Sequence, residues 1–151
     1  TRSVFLNIMA HGQYSGSALL PSEQLSLGGA GSVRGFETGV VLADSGVAVQ
    51  NELGFEIPAL NEWVSFGGLP GAIRIRGFFD YGYSSLAEGG GAADGLSMGG
   101  AGGGVRFNWG SHLSGAVDYA WQVLGKNAEQ AGGASAQNVD SRVHVYVMLK
   151  F

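Results

Sequence analysis

The sequence predicts an all-β protein, a transmembrane antiparallel β-barrel of which these residues supply six strands. Three observations predict it. Apolar residues recur with a period of two, in runs near the ten or so residues that a tilted strand needs to cross a bilayer. No window holds a sustained 3.6-residue period, so almost no helix is expected. Gly accounts for 28 of 151 residues and charged residues for 13%, while 45% of the chain is apolar, a balance that excludes both collagen and simple disorder.

Each strand follows from its own alternation. Val4, Leu6, Ile8 and Ala10 oppose Ser3, Asn7, His11 and Gln13; Val47, Val49, Leu53, Phe55 and Ile57 oppose Gln50, Glu52 and Glu56. Between Ile73 and Tyr83 the odd positions Ile73, Ile75, Phe79, Tyr81 and Tyr83 are apolar or aromatic, and the even ones include Arg74, Arg76 and Asp80. Leu96 to Trp109 is mostly Gly, and only Val105, Phe107 and Trp109 against Arg106 and Asn108 set its phase. Leu113, Val117, Tyr119, Trp121 and Val123 share one parity of the next strand, with Ser114, Asp118, Ala120 and Gln122 on the other. At the C-terminus Val143, Val145, Val147, Leu149 and Phe151 alternate with Arg142, His144, Tyr146, Met148 and Lys150. On such a strand one face is dry.

The connections alternate as well. Gly110 to His112 is a tight link, whereas 84–94 and 125–140 are polar and rich in small residues, and the segment from about 15 to 45 is some thirty residues long. Short turns at one end and long loops at the other describe an outer-membrane barrel. The link from Pro58 to Gly71 is longer than a periplasmic turn requires. Tyr14, Tyr83, Trp109 and Trp121 fall near strand ends and suit interfacial girdles.

Competing classes fare worse. A soluble β-sandwich adhesin or binding module also alternates, yet its strands usually run about five to six residues. A calcium β-helix needs Asp at a fixed repeat, and Gly99 to Gly104 has none. A net charge of −4 with two lysines, Lys126 and Lys150, offers nucleic acid no footprint. Zero Cys removes disulfides, thiolate catalysis and cysteine metal sites. His11, His112 and His144 lack metal-ligand spacing, no G-x-S-x-G elbow occurs, and the glycine run carries no Lys-Ser/Thr for a phosphate loop. No enzyme, metal or cofactor is expected, and no apolar run approaches the roughly 20 residues of a spanning helix.

Six strands cannot close in lipid, because every backbone group there must be paired and single-chain barrels begin at about eight strands. The expectation is therefore that residues 1–151 are the C-terminal part of a longer barrel, with roughly ten further strands upstream if the pore is wide. No basic-plus-apolar segment precedes the first strand-like run, so any signal peptide is expected to have been removed or to lie upstream of residue 1.

Within the long loop the chain reads Leu20-Pro21-Ser22-Glu23-Gln24-Leu25-Ser26-Leu27-Gly28-Gly29-Ala30-Gly31-Ser32-Val33-Arg34-Gly35-Phe36. The tip Val33-Arg34-Gly35-Phe36 resembles the V-R-G-(F/Y) lumenal loop of the Omp85 superfamily. Ser-Glu-Gln and Gly-Gly before it, with Asp44-Ser45-Gly46 and Asn51-Glu52-Leu53 after it, are similar to the ShlB/FhaC/HecB branch, the two-partner secretion (TpsB) transporters. A second family motif, F-x-D-x-G, is matched by Phe78, Asp80 and Gly82.

That resemblance implies the last six strands of a sixteen-stranded barrel in the bacterial outer membrane. It implies export of a secreted TpsA-like exoprotein without ATP, recognised by periplasmic POTRA domains that these residues do not include. The arginine of such a loop is held by the F-x-D-x-G aspartate, here Arg34 and Asp80. A barrel-assembly insertase of the same superfamily shares V-R-G-F and is the neighbouring alternative. A C-terminal Phe151 preceded by Leu149 and Val147 resembles the signal by which the barrel-assembly machinery inserts such proteins into outer-membrane lipid.

Physical reasoning runs beside the resemblance. Nine residues from Ser26 to Arg34, extended at about 3.3 Å each, reach roughly 30 Å, the depth of the hydrocarbon core. Asp80 and Glu52 share the lumenal parity, so either carboxylate is open to a charge-assisted bond from Arg34. The residues equally allow Arg34 to stay in solvent while Asp80 pairs with Arg74 or Arg76. Arg74, Arg76, Arg106, Arg142 and Lys150 against Glu52, Glu56, Asp80 and Asp118 make a mixed-sign wall, which gives little ion selectivity and offers polar contacts to a passing unfolded chain.

Overall fold

The alternation in the sequence is the alternation of one six-stranded antiparallel sheet. A computed structural model describes residues 3–65, 67, 70–88, 94–125 and 140–150. The strands are β1 (Ser3–Gln13), β4 (Ser45–Glu56), β5 (Gly71–Ser85), β6 (Leu96–Trp109), β7 (Leu113–Leu124) and β8 (Ser141–Leu149), neighbours in that order. A two-stranded ribbon of β2 (Leu25–Leu27) and β3 (Val41–Ala43) lies within the 14–44 loop. With nine to fifteen residues each, the six long strands exceed the usual globular length.

Register puts the two parities on opposite faces. Leu6 sits opposite Leu53, Phe55 opposite Ile75, and Val117 opposite Val145, so one face is a continuous apolar surface. It is exposed, with Leu6 at 67%, Val145 at 66% and Phe79 at 49%. Contiguous grease of this extent marks contact with lipid or another apolar partner. The other face carries Gln50, Glu52, Arg76, Asp80, Asp118 and Gln122, all buried. Among the described residues the outer edges of β1 and β8 have no strand partner, as befits a β-barrel fragment.

The Gly-rich stretch is strand throughout: β6 pairs with β5 along its whole length, and only a register shift at Gly99/Gly100 interrupts its pairing with β7. The long 58–71 link contains helix α1 (Pro58–Val64), the one helix among the described residues. Pro in its first turn suits a helix start, where the missing N–H costs nothing. Asn61 fastens this helix to both neighbouring strands, donating Nδ2 to Glu56 Oε1 (2.9 Å) and accepting the Ile73 N–H on Oδ1 (2.8 Å). Among the described residues no helix is long and apolar enough to cross a membrane.

The chain's principal apolar cluster lies on the polar face. Leu27, Val33, Phe36, Val40 and Val41 of the long loop pack with Ala48 of β4 and Met98 of β6. The loop therefore folds back over the inner wall as a hairpin, and this cluster fixes it there.

Candidate functional site

The hairpin tip turns tightly. Gly29 N–H donates to the Val33 carbonyl (3.1 Å), and Gly28 N–H to Ser32 Oγ (2.7 Å). Gly35 has φ +99°, a conformation that side chains rarely adopt, and it lies against the Trp121 backbone. These turns aim Arg34 at the wall.

Arg34 is 3% exposed and is held on several sides. Its Nε and Nη2 donate to Asp80 Oδ2 and Oδ1, both at 2.7 Å, a bidentate pair. Its backbone N–H also donates to Asp80 Oδ2 (3.0 Å), and Nη1 donates to Glu52 Oε1 (2.6 Å). Beneath the guanidinium lies the Phe78 ring, 3.6 Å from Cζ to centroid, which adds a cation–π contact. Gly82, two residues beyond Asp80, leaves room for Val33: a methyl there would meet Val33 Cγ2 at 2.8 Å. The structure thus brings Val33, Arg34, Glu52, Phe78, Asp80 and Gly82 together about midway along the strands, so the hairpin uses only part of its extended reach.

A second arginine completes the cluster. Arg76 Nη1 donates to Glu52 Oε1 (2.8 Å), while Nε and Nη2 grip Asp118 at 3.0 and 2.6 Å. Glu52 is shared by both guanidiniums, and Asp118 Oδ2 lies 3.8 Å from Arg34 Nη1. Asp80 does not pair with Arg74, whose partner is Glu56 at 3.5 Å.

The glycines of β6 make this possible. Gly100, Gly102 and Gly104 stand opposite Asp80, Phe78 and Arg76. A methyl group at Gly100 would collide with the Arg34 carbonyl, one at Gly102 with the Phe78 ring (2.6 Å), and one at Gly104 with Asp118 Oδ1. Their absent side chains form a trough in which hairpin, ring and carboxylates are seated. Two wall amides complete the seat, Gln50 Nε2 donating to the Ala30 carbonyl (3.1 Å) and Gln122 Nε2 to that of Gly35 (3.0 Å).

Residues 2–107 match the family described as haemolysin secretion/activation protein ShlB/FhaC/HecB. The chain belongs to this family. The matched stretch includes the whole hairpin, Glu52, the Phe78-Asp80-Gly82 motif and the glycine trough. Over 82 residues the chain is also 30% identical to the heme/hemopexin transporter protein HuxB of Haemophilus influenzae (strain 86-028NP). That alignment covers 54% of this chain and 13% of the relative, so only a small part of the transporter's length is matched. No solved structure matches the chain.

ShlB/FhaC/HecB proteins are transporters rather than enzymes as a family, and among the described residues no group of His, Asp or Glu is arranged to hold a metal ion. Val147 and Leu149 lie on the outward parity of β8, at 59% and 63% exposure, and Phe151 lies outside the described residues. Asp44, at the root of the hairpin, has a part that spacing did not reveal. Its carboxylate accepts from the Leu19 N–H (2.8 Å), Gln24 Nε2 (3.0 Å) and the Ala87 N–H (2.9 Å), tying the hairpin base to the β5–β6 loop. The Gln24 amide, then the Ala87 and Leu19 N–H groups, hold that carboxyl below its ordinary range against the opposing effect of burial.

Proposed function

We propose that residues 1–151 form the C-terminal part of an outer-membrane translocator, which secretes a partner exoprotein of haemolysin or adhesin type through its barrel without ATP. The observation that carries this reading is the hairpin whose Arg34 is clamped by Asp80 on the polar face of a sheet with a greasy back. Membership of a secretion family gives that geometry its direction. Lipid meets the outer parity, the polar parity faces the channel, and the barrel-assembly machinery reads the C-terminal strand with Leu149, Val147 and Phe151.

On this reading the partner is a TpsA-like protein engaged first by POTRA domains on the periplasmic side and then passed along the mixed-sign wall. The experiment is secretion from cells carrying the full-length transporter and its genomic neighbour of exoprotein type. Loss of the exoprotein from the medium on deleting the transporter, with its retention in the periplasm, is the expected result. Continued export without the transporter, or a general loss of outer-membrane proteins in its place, overturns the reading; the second outcome belongs to an insertase.

A further inference from the structure

We infer that Gln50 and Gln122 are positioning residues, a pair of uncharged wall amides that set the register of the hairpin tip so that the Arg34 guanidinium meets Asp80. As regards secretion, this rests on the transport reading above. The two side chains stand on β4 and β7, with β5 and β6 between them, and are 6% and 5% exposed. Each gives its Nε2 hydrogen to a main-chain carbonyl of the tip, Ala30 for Gln50 and Gly35 for Gln122. The two carbonyls bracket Arg34 in the sequence.

The ion pair alone does not define this register. A guanidinium on a flexible stem finds carboxylate oxygens of Glu52, Asp80 and Asp118 all within 4 Å, and the Arg34 N–H bond to Asp80 Oδ2 holds the peptide at a single point, so these contacts draw the tip to the wall while its rotation about that point is still to be set. Bonds to backbone carbonyls fix the peptide itself, because they leave no side-chain torsion free on the hairpin side. They are short-ranged, directional and indifferent to ionic strength, unlike a charge pair. The apolar cluster around Phe36 anchors the upper hairpin, Arg34 supplies the countercharge that Asp80 needs, and the amides place the tip between them.

The test uses the full-length transporter in native membranes with a Ser32→Cys reporter, since Ser32 is 3% exposed and this stretch has no cysteine of its own. Gln122→Met keeps length and removes the donor, whereas Gln122→Lys keeps a donor, charged and one methylene further out. Maleimide labelling of the reporter is expected to rise about tenfold in Gln122→Met, the change an ordinary hydrogen bond produces. A larger rise is expected in Gln50→Met with Gln122→Met, and a smaller one than Met gives in Gln122→Lys. Parent-like labelling in the Met variants, or equal labelling in Met and Lys variants, overturns the inference whatever secretion does. Raised labelling with unchanged secretion upholds the clasp and counts instead against the loop's part in transport. Heat-modifiability verifies that each barrel is closed, and the single Met variant carries the comparison should the double one not assemble.

Discussion

Arg76 reaches Asp118 across a strand that places only Gly104 between them, with guanidinium nitrogens 3.0 and 2.6 Å from the two carboxylate oxygens. Both residues belong to the wall, and Arg76 also holds Glu52. This part of the ion cluster therefore exists without the hairpin. Asp80 differs: it is fully buried, and its salt-bridge partner is Arg34 of the loop. In this cluster the wall sets the carboxylates of Glu52, Asp80 and Asp118 against one buried arginine, with the more exposed Arg106 reaching Glu52 at 4.0 Å, and the hairpin supplies the second buried cation.

Arg34→Ala leaves Asp80 as a buried carboxylate without its cation, at a cost to the seated hairpin of about 3–5 kcal/mol. Secretion by the full-length protein should fall while the barrel assembles normally on heat-modifiability gels. Asp80→Asn should act in the same direction, and the double variant should cost less than the sum of the two because the residues form one unit. Export at the parental level by Arg34→Ala would show that the pair has no part in transport.

Gly100→Ala and Gly104→Ala fill the trough, and each should destabilise the seated hairpin by about 1–3 kcal/mol, the usual range for overpacking. Gly103→Ala is the control, since a methyl there meets nothing closer than the Arg76 carbonyl at 3.4 Å. Limited proteolysis of the 28–36 segment should speed up in the first two variants and stay unchanged in the third.

Asp44 makes the hairpin base sensitive to acid. Its folded pKa is lowered from the ordinary 3.8, so its contribution is complete above that value and is lost as pH falls through the folded one. Anchoring should be constant around neutrality and loosen only below about 3.8. A spin label at Leu20→Cys should stay restrained from pH 7 to 5 and become mobile on further acidification, whereas Asp44→Asn should leave it mobile throughout. A label that loosens near pH 6 would assign the transition to some other group.

Removal of Phe151 should lower insertion into the outer membrane while leaving the other strands' sequence untouched. The heat-modifiable fraction of full-length protein measures this directly, and an undiminished fraction would deny the C-terminal aromatic its role as assembly signal.

The sheet was legible because strands with one exposed apolar face write their register in hydrophobicity: Val143, Val145, Val147 and Leu149 are all exposed on one face of β8, and Leu53 and Phe55 mark β4 in the same way. Helix α1 was not, since seven residues are too few to display a 3.6 period and its ties run through Asn61 to strands on either side. The trough in β6 escaped because glycine has no side chain whose alternation could be read; its meaning lies in what occupies the vacated space. Gln50 and Gln122 look like any polar residue of the inner parity, and their partners lie 20 and 87 positions away. Arg34 and Asp80 stood out through motif order, whereas the division of the other carboxylates between two arginines depended on distances no spacing encodes.

Leu27, Val33 and Phe36 are wholly shielded on a face otherwise built for water. Any excursion of the hairpin would hydrate them together, and the solvent's own cohesion would drive it back onto the wall. The seated state is thus restored without an external source of work, which on the translocator reading proposed above would let the loop return after a chain has passed.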